Sequence, residues 1–150
     1  MEGISDYYYI RAMIYYLNKK EGYTFPNDVG IIPCVGHTKI ATLISLLIGW
    51  GLDYKILIDR KGTNRTFKKL KDDGIEGDKI IFVGNEKEDS IENLFSKNDL
   101  KKYNIADNKY SKTITSKMFF ERVVSEDDTN FSNETVNNFK NLLDKVKKIK

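Results

Sequence analysis

Three places in the chain put chemically useful side chains where an open α/β sheet would use them. The segment Glu2-Gly3-Ile4-Ser5-Asp6 sets two carboxylates around the start of a helix, and Asp59 closes the apolar run Tyr54-Lys55-Ile56-Leu57-Ile58. Ligands of such sheets bind beyond the carboxyl ends of the strands, so an acid at a strand end is read first as a ligand-binding group. The third place is Gly36-His37-Thr38-Lys39, between a β-branched run and an apolar helix. Backbone N–H groups at a helix amino end attract anions, which makes Gly36 and Lys39 candidates for holding a phosphate; in the plainer reading Gly36 only makes the turn. Glu2 and Asp59 also have plainer roles, as a carboxylate favoured by the helix dipole and as a cap of the following turn.

The elements that must position these residues follow from periodicity. Ser5-Asp6 predicts the cap of a helix running to about Lys20, with Tyr7, Ile10, Met13, Ile14 and Leu17 on one face. Val29 to Val35 reads as a buried strand, Thr38 to Trp50 as an apolar helix, and Tyr54 to Asp59 as the next strand. A polar helix from about Arg65 to Lys71 and a strand from Lys79 to Val83 continue the alternation expected of a parallel sheet wrapped by helices. Beyond Gly84 the pattern is helical: Ser90 to about Phe95, Asn98 to Tyr103, Lys112 to Val124, and a last helix capped by Ser132. The fold class is therefore α/β.

Bulk properties narrow the setting. The 150 residues suit one folded unit. With 25 basic and 22 acidic residues the average field is weak, so any nucleic-acid contact must come from a local patch. A single cysteine, Cys34, and a single histidine, His37, rule out an intrachain disulfide and a zinc set built from Cys and His, and suggest a reducing, cytoplasmic setting. The longest apolar stretch, Ile40 to Trp50, is far short of the roughly 20 residues of a membrane span, and no basic-then-apolar leader opens the sequence. No membrane partner is expected.

The ordered set of Glu2-Gly3 with Asp6, the run Pro33 to Lys39, and Ile56-Leu57-Ile58-Asp59 resembles the TOPRIM domain of topoisomerases, primases and OLD (overcoming lysogenization defect) nucleases. Asp89-Ser90-Ile91-Glu92-Asn93-Leu94-Phe95 looks like the Ser-x-Glu element of the OLD branch, and Lys117 resembles its late lysine. The resemblance implies a Rossmann-like parallel sheet flanked by helices, with a nuclease core over residues 1–104 and a helical C-terminal extension over 105–150 packed on it. It implies DNA phosphodiester hydrolysis with Mg²⁺ or Mn²⁺, ions that suit hard oxygen ligands. The metal positions carried over are Glu2, Asp6, Asp59, Ser90 and Glu92; Glu2 and Lys117 carry the catalytic roles, Lys117 by stabilising phosphoryl charge.

Two positions depart from the family pattern. Where the family has Asp-x-Asp, this chain has Asp59-Arg60-Lys61. A lysine charge about 5 Å from a divalent ion would repel it by roughly 6–7 kcal/mol at an effective dielectric of 20. The family also has a hydrophobic strand leading into Glu-Gly, and here only Met1 precedes Glu2, so the first strand is expected to be truncated. No Gly-x-x-x-x-Gly-Lys-Ser/Thr loop occurs, and no ATP site is expected. Two readings follow: a metal-dependent DNA endonuclease of a bacterial defence system, or a non-catalytic TOPRIM-like module. The partners would be DNA, the N-terminal ATPase module of a parent protein, or a second copy in a homodimer.

Overall fold

Two short strands, β1 (Ile56–Ile58) and β2 (Ile80–Phe82), pair in parallel with Ile56 opposite Ile80 and Ile58 opposite Phe82 in a computed structural model of the chain. The structure describes residues 3–34, 39–60, 63–86, 89–105 and 109–148, without the side chains of 63 and 64. The connection between the strands passes through a helix, as a parallel pair requires. The described helices are α1 (Ile4–Lys20), α2 (Ile40–Gly49), α3 (Thr63–Asp72), α4 (Lys97–Lys102), α5 (Lys112–Ser125) and α6 (Asn133–Lys147). A 3₁₀ turn, Ile91–Leu94, lies between β2 and α4. Mixed α/β architecture is thus as expected from the alternation of elements.

Side chains alternate across the pleat, so the strands divide the core in two. Leu57, Ile81 and Val83 join Tyr9, Met13 and Leu17 of α1, Phe119 of α5 and Phe139 of α6. Ile56, Ile58 and Ile80 face the other way, onto Ile40 and Ile44 of α2 and Leu70 of α3. The first layer is strongly aromatic: Phe95 stands with its ring centroid 5.7 Å from Tyr9, 5.4 Å from Phe119 and 4.8 Å from Phe139. Such offset and edge-on pairs add to what their burial alone contributes.

Capping explains where the helices begin. Ser96, Ser111 and Ser132 each precede a helix and accept a hydrogen bond from the third residue beyond, the N–H of Asp99, Ile114 and Thr135 respectively. α1 starts earlier than its Ser5-Asp6 pair predicts. Gly3 is the residue before its first turn, and the Asp6 carboxylate reaches back to accept from the Gly3 N–H at 3.0 Å. This is the returning half of a capping box.

The strand expected over Val29 to Val35 does not form within its described part. Residues 29–34 make no strand pairing, and the one backbone bond there runs from Val29 N–H to the Pro26 carbonyl. A β-branched run needs a neighbouring strand for its peptide groups, and β1 does not supply one. The segment and β1 instead line a common apolar cavity of about 410 Å³.

Candidate functional site

The carboxyl ends of both strands are held together by a clasp of backbone and side-chain bonds. Val83 N–H donates to the Ile58 carbonyl at 2.9 Å, and Arg60 N–H donates to the Asp89 carbonyl at 2.8 Å. The Arg60 guanidinium lies over the Phe82 ring and donates through Nε to the Gly84 carbonyl at 3.3 Å. Gly84 turns the chain after β2 with φ +68°, and a Cβ there would collide with the Asp89 carboxylate. That carboxylate in turn accepts from the N–H groups of Asn85 and Glu86, both at 2.8 Å. The clasp ties Asp59, which follows β1 directly, to the segment that brings in Ser90 and Glu92.

Glu92 sits on the 3₁₀ turn with its side chain largely covered, and Lys112 Nζ, at the start of α5, stands 3.2 Å from its Oε1. The Ser90 hydroxyl, 2.9 Å from Asn93 Oδ1, can give its one proton there or to the Glu92 carboxylate. Burial alone would raise the Glu92 pKa. Hydrogen bonds from its own backbone and from Ser90, with the charge of Lys112, outweigh burial and hold the carboxyl below its ordinary range. Glu92 is therefore an anion at neutral pH.

Tyr9 links this acid to the start of the chain. Its side chain is 1% exposed, and its pKa is pushed well up by burial first, then by the negative charges of Glu92 and Asp6. The Tyr9 ring also meets Phe95, directly after the 3₁₀ turn, so α1 and the Ser90–Glu92 segment share a region although Asp6 and Glu92 are 86 positions apart in sequence (92 minus 6).

Of the positions expected from sequence, Asp6, Asp59, Ser90, Glu92, Lys39 and Lys117 are described. Glu2, Gly36, His37 and Lys61 lie outside the described residues. Lys39 is exposed and precedes the first turn of α2. Lys117 lies on the outer side of α5, 3.7 Å from Glu121, with both side chains more than half exposed. The ammonium beside Glu92 is that of Lys112, which in the sequence is only the first, polar residue of a helix. Tyr9 is likewise only one aromatic in a run of three.

Carboxylate oxygens are the right donor type for a hard divalent ion. Among the described residues, however, no three His, Cys, Asp or Glu side chains stand together so as to hold a metal. Asp6 is engaged by Gly3 and Glu92 by Lys112, so a complete cage would need Glu2 or a rearrangement of these pairs. No helix among the described residues is long and apolar enough to cross a membrane. Against known protein families, curated proteins and solved structures, the chain has no match.

Proposed function

We propose that this chain is a TOPRIM nuclease module of the OLD-family type, hydrolysing DNA phosphodiesters with Mg²⁺ or Mn²⁺ in a reducing, cytoplasmic setting. The observation that carries the reading is the contact of Tyr9, three residues beyond Asp6, with Phe95, three residues beyond Glu92, at a ring-centroid separation of 5.7 Å, with Asp59 following β1 directly. Acidic side chains beyond the carboxyl edge of a parallel pair lie where such chemistry is carried out. Glu2, Asp6, Asp59, Ser90 and Glu92 would hold the ions, which when bound supply an activated water and offset charge on the leaving oxygen. The chain's own part is to keep Glu92 ionised through Ser90 and Lys112, and to set lysines where a DNA phosphate can meet them. Lys112 beside Glu92, Lys117 at the solvent face and Lys39 before α2 would serve that role, together with Gly36.

A second reading, a non-catalytic TOPRIM-shaped module that binds DNA, a parent ATPase or itself, draws on two specific observations. The ion pair between Lys112 and Glu92 already neutralises one expected metal ligand. Leu46, Ile48, Trp50 and Leu52, around the end of α2, are each about half exposed or more, a grouping that suits a protein partner.

Supercoiled plasmid incubated with the full chain and Mn²⁺ or Mg²⁺ separates the two. Metal-dependent nicking by the wild type, lost in Glu92→Gln, is the expected outcome. Nicking that appears only in Lys61→Asp would assign the chain to the second reading. Absence of nicking in every variant, together with no Mn²⁺ binding by calorimetry, would overturn the nuclease reading.

A further inference from the structure

The cavity beside β1 has the walls of a strand-binding slot. Val83 N–H bonds to the Ile58 carbonyl, so Ile58 turns its peptide groups toward β2. Successive residues of a strand alternate, which turns the N–H and C=O of Leu57 away from β2, toward the free edge. Neither group has a backbone partner among the described residues, although Leu57 is only 9% exposed and lines the cavity. On the opposite wall, Gly30, Ile31, Ile32 and Cys34 also make no backbone hydrogen bond among the described residues. The groups of buried Leu57 and Cys34 demand partners, because a buried unpaired donor or acceptor is costly, whereas Gly30 and Ile32 are exposed and open to water or to a bound strand.

The two faces of the cavity are closed by apolar side chains, Ile10 and Leu143 from the α1 and α6 layer and Ile40 and Ile44 from α2. Whatever enters is thus apolar on both faces and offers peptide groups along both edges. A Val- and Ile-rich strand meets both conditions, as a central strand of a parallel sheet does. A second copy of this chain has none to spare: its β-branched runs at 29–34, 54–58 and 79–83 are already walls or sheet.

We propose that this slot accepts an extended apolar strand from another polypeptide, by addition to the free edge of β1. The inference rests on the cavity and the strand edge, and it holds whether or not the chain cleaves DNA. The probe is a short, fluorescently labelled valine- and isoleucine-rich peptide with lysines at both ends, titrated into the full chain. The peptide should bind with slowed hydrogen exchange of the Leu57 amide. Methylating alternate backbone nitrogens, on whichever edge pairs with β1, should weaken binding about tenfold or more while leaving the side chains unchanged. Ile44→Trp, which fills the cavity, should abolish binding in a chain that keeps its circular dichroism. Equal affinity for both methylated forms and the parent peptide, or binding without protection of Leu57, would overturn strand addition. So would a Leu57 amide that is protected in the chain alone and loses protection on dilution, because copies of the chain would then fill the slot themselves.

Discussion

Glu92 is ionised because its neighbours make it so, and Lys112 is the neighbour that can be removed at least cost, since its side chain is mostly in solvent. In Lys112→Ala the Glu92 carboxyl should titrate at higher pH, followed by carboxyl NMR shifts, with the melting temperature nearly unchanged. The sign is fixed by the lost positive charge, and a fall in that pKa would mean that the ion pair does not act on Glu92 at all. The acidic positions themselves were legible as a spaced set, because Asp6, Asp59 and the Ser90-Glu92 pair flank recognisable elements. Their pairing with Tyr9 and Lys112 was not, because convergence across 86 residues is a property of tertiary packing and leaves no local signal.

At the scale of elements, the turn after β2 depends on one glycine. Ala at position 84 would meet both the left-handed backbone cost and the Asp89 carboxylate. Gly84→Ala should therefore cost about 2–4 kcal/mol in guanidinium unfolding with an unchanged slope. A loss under about 0.5 kcal/mol would show that the clasp yields freely. Helices are readable here because their signals are local: Ser132 reads as the cap of α6 and apolar spacing marks its buried stripe, and the structure adds the same serine cap before α4 and α5. The β-branched run at 29–34 was misread for the opposite reason. Such a run records a preference for burial, whereas strand formation needs a partner elsewhere in the chain.

Across the whole molecule, one buried acid joins segments far apart in sequence. Asp99 is 4% exposed, and its Oδ2 accepts from the hydroxyls of Ser96 at 3.0 Å, Ser132 at 2.7 Å and Thr135 at 2.6 Å, and from the Ser132 N–H at 3.0 Å. Burial alone would raise its pKa, but these bonds outweigh burial and hold it below the ordinary range. Asp99→Ala should cost about 2–4 kcal/mol, because three hydroxyls and an amide lose their acceptor together. A carboxyl whose folded pKa is depressed contributes stability above its unfolded value, near pH 4, and loses it as pH falls through the folded value. The gap between wild type and Asp99→Asn should thus be full at pH 7 and narrow below about pH 4, measured by thermal melts across that range. A gap that does not change with pH would remove ionisation from the account.

α1 and α5 are the most closely joined helices of the fold, yet about 90 residues separate the end of one from the start of the other (112 minus 20). During synthesis the earlier helix must therefore wait for its cover. Leu57, Ile81, Val83 and Phe95 can cover part of its apolar face, with Tyr9, Met13 and Leu17, but the cover is complete only once α5 has been made through Ser125, about 105 residues later (125 minus 20). At roughly 5–20 residues per second, this is an interval of about 5–20 s. Throughout it part of that face stays open on the nascent chain, the kind of surface that holding chaperones recognise and that crowded ribosomes can bring together.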